Sequence, residues 1–388
     1  MMIKKNYCYA SLALCAFTTI LGCDDGHFIL PRDLTKKTRK TTKAKNPFDL
    51  KKVPLKAGVV PIVVLGAGPG GLSAGLYAAA QFDTVIIAGE EPSLLTETSY
   101  VENWLGAPHQ LGADLIQKSR EQAESAGARI IDSTVKKVDL SKWPFTITLD
   151  DGKVMHALAL IVATGARPRM LGVPGEKEYW AKGVSACARC DSLFYKNKNV
   201  MVVGGGDGAI EQAVELARYA KEVTIVHRRS QLRAAGSMQT RLKSYPQIHI
   251  MYDVDVKEVI GDKKKVTGIK LFNNQTKKQE IVPIDGVFLA IGHRPNTDLV
   301  KDVLEADSLG YIILQCSTQQ TSIPGVFAAG DVADPHYRQA IVAAGDGAKA
   351  AIDAIEFLET LGFTLAEANK LRTVSNVEQK EEKQTFEK

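Results

Sequence analysis

Cysteine is scarce in this 388-residue chain, with six in all and three of those within the first 23 residues. The remaining Cys187, Cys190 and Cys316 are too few for a disulfide framework, so the fold must be held by its hydrophobic core. Aromatic residues make up only 7%, and no apolar run after residue 23 has the length of a membrane span. With 45% hydrophobic and 24% charged residues, the composition excludes a fibre and a polytopic membrane protein and suits two globular domains.

The N-terminus differs in kind from the rest of the chain. Two lysines precede an apolar run from Tyr7 to Leu21, which ends at Cys23. A run of about 15 residues is short for a membrane span and has the size of a signal-peptide core. The Ile-Leu-Gly-Cys sequence at 20–23 also resembles a bacterial lipobox. Residues 1–23 are therefore predicted to be a signal-peptide or lipoprotein leader; a retained anchor and a misassigned start are the alternatives.

Residues 24–56 are predicted to form a basic, disordered linker. Within it, the stretch 31–56 holds ten Lys or Arg against two Asp, a net charge of +8, which leaves −3 of the overall +5 for the rest of the chain. Like charges at low hydrophobicity favour disorder, and beside a lipid anchor they could contact anionic headgroups, giving a membrane tether. Because the rest of the chain is mildly acidic, nucleic-acid binding is not expected. Residues 366–388 are predicted to be a charged tail.

The segment Cys187-Ala-Arg-Cys190-Asp191 carries the clearest chemical signal. Two thiols separated by two residues can close a small disulfide ring that is reduced and re-formed. A structural zinc site would require four Cys or His ligands, and the chain offers neither a second such pair nor two histidines at ligand spacing. The pattern favours a redox pair over two inert buried thiols, and no metal is predicted.

A glycine turn near the start of the globular part indicates a first dinucleotide site. An apolar strand is predicted to begin at Ile62, because Pro61 would spoil its middle, and a small-residue helix follows from Leu72 to Ala80. Glycines let the N–H groups at a helix N-terminus approach a pyrophosphate. Glu90, after the next apolar run, is a candidate for binding the ribose, with a solvated loop acid as the alternative. The glycines of this turn are Gly66, Gly68 and Gly71.

A second glycine turn follows the paired cysteines by fourteen residues, and two such turns imply two dinucleotides. The turn contains Gly204, Gly206 and Ala209 after a strand at Val200–Val203. Its next strand ends not in an acid but in a basic cluster, which suits a ribose 2′-phosphate and predicts NADPH. A basic surface turn is the alternative. The first site should then hold FAD, the usual intermediary between a nicotinamide and a disulfide. The basic cluster consists of His227, Arg228, Arg229 and Arg233.

Several motifs follow one another along the chain in a fixed order. They are GAGPGG at 66–71, Glu102-Asn103-Trp104, Ala-Thr164-Gly165, the C-x-x-C-D, GGGDGA at 204–209, HRRxxxR at 227–233, GHRPNT at 292–297, Ala-Ala-Gly330-Asp331-Val and Tyr-Arg338-Gln339-Ala340. With these motifs, the chain from about Val59 to Thr360 resembles the low-molecular-weight thioredoxin reductases.

The resemblance implies an α/β fold with two Rossmann-like dinucleotide-binding domains. An FAD domain formed by 57–171 and 299–365 would be interrupted by an NADPH domain at 172–298 that also carries the dithiol. The two domains would swivel about hinges near Gly172 and Thr297. Family members are commonly homodimers.

The resemblance also implies residue roles. Cys190 would face the flavin, Cys187 would attack the partner disulfide, and Asp191 would protonate the outgoing thiolate, although Asp191 could instead be only a helix cap. Asp331 would hold a ribityl hydroxyl or orient the pyrophosphate. The predicted cofactor-binding residues are Gly66, Gly68, Gly71, Glu90, Asn103, Thr164, Gly165, Gly330, Asp331, Arg338, Gln339 and Ala340 for FAD, and Gly204, Gly206, Ala209, His227, Arg228, Arg229 and Arg233 for NADPH.

The expected function is NADPH-dependent reduction of thioredoxin or a thioredoxin-like protein through FAD and the Cys187–Cys190 disulfide. Two alternatives are a related dithiol oxidase or reductase of another disulfide, and a membrane-tethered flavoprotein redox sensor. The chain departs from the family pattern at 91–95, at Arg189 and at 192–194, and the resemblance implies that the last segment belongs to the region that binds thioredoxin. The leader suggests a membrane anchor, whereas NADPH is a cytoplasmic donor, so the sequence does not settle the compartment.

Overall fold

The computed structural model describes residues 48–50, 58–98 and 100–368. The predicted leader, nearly all of the basic linker and nearly all of the charged tail lie outside the described residues. Within those ranges, none of the helices combines the length and the apolar character needed to cross a bilayer.

The regular elements fall into three stretches of the chain. The first stretch contains β1 (Val59–Leu65), α1 (Pro69–Ala79), β2 (Thr84–Ile87), β3 (Tyr100–Val101), β4 (Gln110–Leu111), α2 (Gly112–Ser125), β5 (Arg129–Ile131), β6 (Val135–Asp139), β7 (Phe145–Leu149), β8 (Val154–Val162) and β9 (Ala166–Pro168). The second contains β10 (Val184–Ser185), α3 (Ala188–Asp191), β11 (Asn199–Gly204), α4 (Asp207–Leu216), β12 (Glu222–Val226), α5 (Gly236–Leu242), β13 (Ile248–Met251), β14 (Val254–Gly261), β15 (Val266–Asn273), β16 (Gln279–Pro283), β17 (Gly286–Ala290) and β18 (His293–Pro295). The third contains β19 (Val326–Ala328) and α6 (Ala340–Thr360).

The first sheet has seven strands, in the order β5-β2-β1-β8-β7-β6, with β19 also paired to β8. Strand β1 is buried along its whole length and pairs in parallel with β2 and β8. Its side chains alternate between the two faces: Ile62 and Val64 pack with residues of α1 and α6, whereas Val63 and Leu65 join the core on the opposite face. The sheet is therefore covered on both sides.

Helices α1 and α6 pack against each other on one face of this sheet, although they are far apart in the sequence. A Cβ atom on Gly347 of α6 would collide with the carbonyl group of Gly70 in α1. Only a glycine permits this approach of two backbones. The close contact places the N-termini of an early and a late helix beside one another.

The predicted start of β1 at Ile62 is wrong, because the strand begins at Val59 and includes Pro61. Strand β2 pairs with β1 only from Ile62 onward, whereas β8 pairs from Val59. Pro61 therefore lies where β1 has a neighbour on one side only, and a missing N–H group is tolerated there.

The second sheet is parallel and has five strands, in the order β10-β17-β11-β12-β13. Val200 and Val202 of β11 pack with helix α4, and Met201 and Val203 pack with the antiparallel sheet β14-β15-β16. The second sheet, like the parallel part of the first, thus has a strand, a glycine turn and a helix at its centre. The predicted α/β class with two Rossmann-like units is confirmed.

Two chain connections run side by side between the sheets, where β9 pairs antiparallel with β18. Just beyond β9, the buried carboxylate of Glu176 accepts the N–H groups of Leu171 and Gly172, at 2.6 and 2.8 Å. Just beyond β18, the hydroxyl group of Thr297 donates to the carbonyl of Gly310 at 3.2 Å. The two predicted hinge positions therefore follow directly on this ribbon.

Candidate active site

A cavity of about 1120 Å³ lies at the carboxyl ends of β1, β2, β8 and β19. Open α/β sheets bind ligands at this edge. The predicted FAD-binding residues and the paired cysteines line it together, and Gly71 is the one predicted FAD residue that does not. The lining includes Gly66, Gly68, Glu90, Asn103, Thr164, Gly165, Cys187, Cys190, Asp191, Gly330, Asp331, Arg338, Gln339 and Ala340.

The first glycine turn forms the floor of this cavity. Gly66 has a φ of +106°, and a Cβ atom there would collide with the Ala163 carbonyl. A Cβ atom on Gly71 would collide with the carbonyl of Gly66, so Gly71 permits the tight return of α1 behind the turn. Gly68 begins α1 without a side-chain cap. The free N–H groups of this helix end can therefore donate hydrogen bonds to an anionic pyrophosphate.

The segment from Gly330 to Ala340 forms a second wall. Burial is the main cause that raises the pKa of Asp331 to about 6, with further contributions from Asp334 and Asp346. The carboxylate of Asp334 accepts backbone N–H groups from residues 336–338, which fixes the loop that leads into α6. Gln339 is the N-cap residue of helix α6 and makes no side-chain cap, so a second helix N-terminus faces the same cavity.

The cysteine pair is joined by a disulfide, with the two Cα atoms 5.3 Å apart. Cys187 is the N-cap of α3, and its Sγ accepts the N–H of Cys190 at 3.2 Å. The N–H of Cys187 donates to the hydroxyl oxygen of the buried Ser185 at 3.0 Å. These contacts hold the disulfide on the cavity wall.

Asp191 follows the disulfide directly and lines the same cavity. Burial raises the pKa of its carboxyl, and a hydrogen bond with Ser185 partly opposes that rise. A carboxyl group that keeps its proton more readily than usual can serve as a general acid. Asp191 is thus a carboxyl next to the disulfide that holds its proton more tightly than an ordinary Asp does.

Two side chains flank the disulfide on the outside. Arg189 is exposed and makes no ion pair with any of the described residues. Leu193, four residues later, is 56% exposed. A cation and an apolar side chain therefore stand free beside the reacting sulfurs.

The second glycine turn lies at the end of β11, away from this cavity. Gly206 begins α4 without a side-chain cap, and a Cβ atom on Gly204 would collide with the Ala290 carbonyl. Ala209 is fully buried where α4 packs on the sheet. None of these three residues lines the cavity that holds the disulfide.

The basic cluster is folded onto the second turn. The N–H of Arg233 donates to the carbonyl of Gly205 at 2.7 Å. Arg228, Arg229 and Arg233 are exposed and have no ion-pair partner among the described residues, so all three can meet an anion. His227 differs: it is buried behind Gly205, its Nε2 has no partner in the described part of the chain, and burial lowers its pKa.

The residues present fit both predicted cofactors. The first site offers two helix N-termini, a turn in which added Cβ atoms would collide with backbone, and a cavity large enough for a dinucleotide. The second offers an uncapped helix N-terminus beside three unpaired guanidinium groups, which match a pyrophosphate and a 2′-phosphate.

The loop at 91–95, where the chain departs from the family pattern, is held by Arg167. This guanidinium contacts Glu91 at 3.1 Å, Glu97 at 3.2 Å and the Pro92 carbonyl at 2.7 Å. Arg167 lies in β9, so the departing loop is fastened to the ribbon between the sheets.

Sequence reasoning missed Ser185 and His293. Ser185 joins the Cys187 backbone to Asp191, and its position two residues before the first cysteine was the only signal. His293 lines the cavity, and burial together with Arg338 lowers its pKa to about 4, so its ring is neutral at neutral pH. It stood within the GHRPNT motif, but nothing local indicated that it faces the flavin site.

Comparisons with known proteins agree with this geometry. Residues 60–347 match the family model "Pyridine nucleotide-disulphide oxidoreductase". The chain is 42% identical to a thioredoxin reductase of Dictyostelium discoideum, over 77% of this chain and 98% of that protein, and 45% identical to one of Rickettsia bellii, over 76% and 97%. A solved thioredoxin reductase from Giardia duodenalis superposes with a TM-score of 0.74 at 42% identity, covering 78% of this chain and 99% of that one. The resemblance predicted from the sequence is confirmed: the chain belongs to the low-molecular-weight thioredoxin reductase family of pyridine nucleotide-disulphide oxidoreductases.

Proposed function

We propose that this protein is an NADPH-dependent FAD enzyme that reduces the disulfide of thioredoxin or of a thioredoxin-like protein. The observation that carries the proposal is the Cys187–Cys190 disulfide on the wall of the cavity built by the first glycine turn, with Asp191 beside it. When bound, NADPH supplies two electrons and FAD passes them on to the disulfide. The relatives named above are thioredoxin reductases, which supports thioredoxin as the substrate.

The chain's own residues divide the binding task between the two sites. The N-termini of α1 and α6 would face the FAD phosphates and ring, with Asn103 and Asp331 as polar partners at the cavity wall. Arg228 and Arg229 would pair with the 2′-phosphate of NADPH. This division corresponds to the proposed layout, an FAD domain at 57–171 and 299–365 with an NADPH domain at 172–298.

Thiol-disulfide exchange then completes the reaction. The Cys187 thiolate attacks one sulfur of the partner disulfide, forms a mixed disulfide, and expels the other partner sulfur as a thiolate. Asp191 donates a proton to that thiolate. The Cys190 thiolate next attacks Cys187, which restores the intramolecular disulfide and releases the second sulfur of the partner. The two electrons lost when the Cys187–Cys190 disulfide forms again reduce the partner disulfide to two thiols.

An anaerobic titration tests this function. Adding NADPH to the purified enzyme should lower the flavin absorbance, and adding oxidised thioredoxin should restore it. The Cys190→Ser variant is the matched control, because it should still bind FAD but should not pass electrons to thioredoxin. Purified enzyme that holds FAD and oxidises no NADPH in the presence of thioredoxin would refute the proposed partner.

The exposed Leu193 and Arg189 beside the disulfide bear on partner choice. Both belong to segments in which the chain departs from the family pattern, so we include thioredoxin-like proteins as partners. Oxygen uptake with a small dithiol, without thioredoxin turnover, would instead indicate the dithiol-oxidase alternative.

We also propose that the enzyme is a homodimer. The exposed faces of the two packed helices carry Tyr77 of α1 and Ile341 and Ile352 of α6, which are 49%, 43% and 45% exposed. Apolar side chains on an outer face are typical of a surface that another subunit covers. Sedimentation of the FAD-loaded enzyme at several concentrations would test this, and a monomer throughout would exclude it.

A membrane tether rests on the leader and basic linker alone. Cell fractionation, with the mature N-terminus read by mass, would show whether Cys23 is lipidated. An unprocessed N-terminus in the soluble fraction would rule the tether out.

A further inference from the structure

The side chain of Gln339 makes an unusual contact with the redox disulfide. Its Nε2 lies 3.9 Å from the Sγ of Cys187, and it also donates to the carbonyl groups of Tyr337 at 3.4 Å and Arg338 at 3.1 Å. Its Oε1 accepts the Nδ2 of Asn103 at 3.0 Å. Acceptors around the nitrogen and a donor at the oxygen fix the orientation of the amide, so its NH2 group, and not its carbonyl oxygen, faces the sulfur.

The two sulfurs of the ring are not equivalent. The Sγ of Cys187 also accepts the backbone N–H of Cys190 at 3.2 Å, so two donors converge on it. Among the described residues, no hydrogen bond to the Sγ of Cys190 occurs. Hydrogen bonds from N–H groups stabilise a sulfur far more when it carries negative charge than when it is neutral.

We propose that Gln339 is a further catalytic residue, whose amide stabilises the thiolate that forms on Cys187 when the disulfide opens, and that Asn103 is the residue that positions this amide. The inference rests on the proposed function. When the thiolate of a dithiol reductant such as dithiothreitol bonds to the Sγ of Cys190, a mixed disulfide forms there, the Cys187–Cys190 bond breaks, and its electron pair leaves on Cys187. The backbone N–H of Cys190 and the amide of Gln339 stabilise the resulting thiolate. Cys190 is therefore the sulfur attacked and Cys187 is the leaving sulfur, in agreement with the roles that the sequence implied.

The placement of Gln339 also makes this stabilisation dependent on the arrangement of the two sheets. Gln339 follows β19 of the first sheet, whereas Cys187 belongs to the segment that follows β10 of the second. If the two parts swivel to present Cys187 to thioredoxin, the amide stays behind. A thiolate that loses a donor becomes a stronger nucleophile, which suits the attack on the partner.

The test uses the full-length, FAD-loaded enzyme reduced with dithiothreitol. After removal of the reductant under anaerobic conditions, iodoacetamide would alkylate samples over a range of pH, and peptide mass analysis would follow Cys187 and Cys190 separately. In Gln339→Glu and Gln339→Met, the amide donor is lost while the length of the side chain is kept. We expect the midpoint pH of Cys187 alkylation to rise by about one unit, because losing one charge-assisted hydrogen bond destabilises the thiolate by about that much. The midpoint pH of Cys190 alkylation should not change.

Gln212→Glu is the matched control. Its amide donates at 3.2 Å to the carbonyl of Ala186, one residue before Cys187, and not to a sulfur, so the same change there should leave the Cys187 midpoint unmoved. Asn103→Ala should give part of the Gln339 effect. The flavin-to-protein ratio shows whether each variant is folded and loaded. If both Gln339 variants hold FAD and keep the wild-type midpoint, the inference is overturned. The assay needs neither NADPH nor thioredoxin, so failure of the proposed function would not be mistaken for failure of this inference.

Discussion

Asp331 should destabilise the enzyme whenever FAD is absent. Its carboxyl is held in the cavity wall, and burial raises its pKa from 3.8 to about 6. At neutral pH the group is ionised in both the folded and the unfolded chain, but ionisation costs more in the folded one. The Asp331→Asn variant keeps the shape and removes the charge. We therefore expect the FAD-free variant to be more stable than FAD-free wild type at pH 8.

The size and the sign follow from linkage. A rise of about two pKa units corresponds to about 3 kcal/mol in the free energy of unfolding. Because the folded pKa lies above the unfolded one, wild type has no penalty below 3.8, loses stability as the pH rises to about 6, and changes no further above it. The difference in the free energy of unfolding between variant and wild type should therefore grow from pH 3.8 to about pH 6 and stay constant above that.

Urea unfolding of FAD-stripped protein at about pH 4, 5, 6 and 8 would measure this gap. Asp302→Asn, at an exposed carboxylate, is the matched control and should show no such opening. The variant should also bind FAD more weakly, since an amide oxygen is a weaker hydrogen-bond acceptor than a carboxylate. A gap of equal size at the lowest and highest pH, or a variant less stable at pH 8, would refute the reasoning.

Three further changes test the proposed chemistry. Asp191→Asn should slow thioredoxin turnover about a hundredfold or more, because a positioned general acid usually accelerates a reaction by at least that factor, while dithiothreitol should still reduce the Cys187–Cys190 disulfide. Near-normal turnover would show that Asp191 is only a helix cap. Arg228→Ala and Arg229→Ala should each raise the KM for NADPH about tenfold and leave that for NADH unchanged, and an equal effect on both nucleotides would exclude a 2′-phosphate contact. Cys187→Ser should keep FAD and lose thioredoxin reduction, whereas Cys316→Ser should keep both, and any thioredoxin reduction left in Cys187→Ser would argue against the disulfide route.

The features that sequence reasoning predicted are the ones whose physical cause is local. A strand, a glycine turn and a helix occur within about twenty residues, so both dinucleotide sites could be read from the chain. The same holds for the Cys187–Cys190 ring, since two thiols three residues apart can pair without help from the rest of the fold. Family resemblance then extended this reading to residues such as Asn103 and Gln339.

The features that could not be predicted join distant parts of the chain. Gln339 and Cys187 are 152 residues apart, and nothing near either one indicates that an amide meets a sulfur. Arg167 reaches back about 70 residues to Glu97, across a loop that departs from the family pattern. The predicted start of β1 was wrong for a related reason. Whether the strand can include Pro61 depends on where the neighbouring strand β2 begins to pair, and the local sequence does not show this.

The contact between Gly70 and Gly347 has a consequence for the order of events during synthesis. The cavity takes one helix end from near residue 69 and another from near residue 340, and strand β19 completes the sheet between them. When only the first 300 residues have left the ribosome, all strands of the second sheet are present. Strand β19 and helix α6, which form part of the FAD cavity, are still missing. The cavity wall for FAD is therefore complete only after helix α6 has left the ribosome.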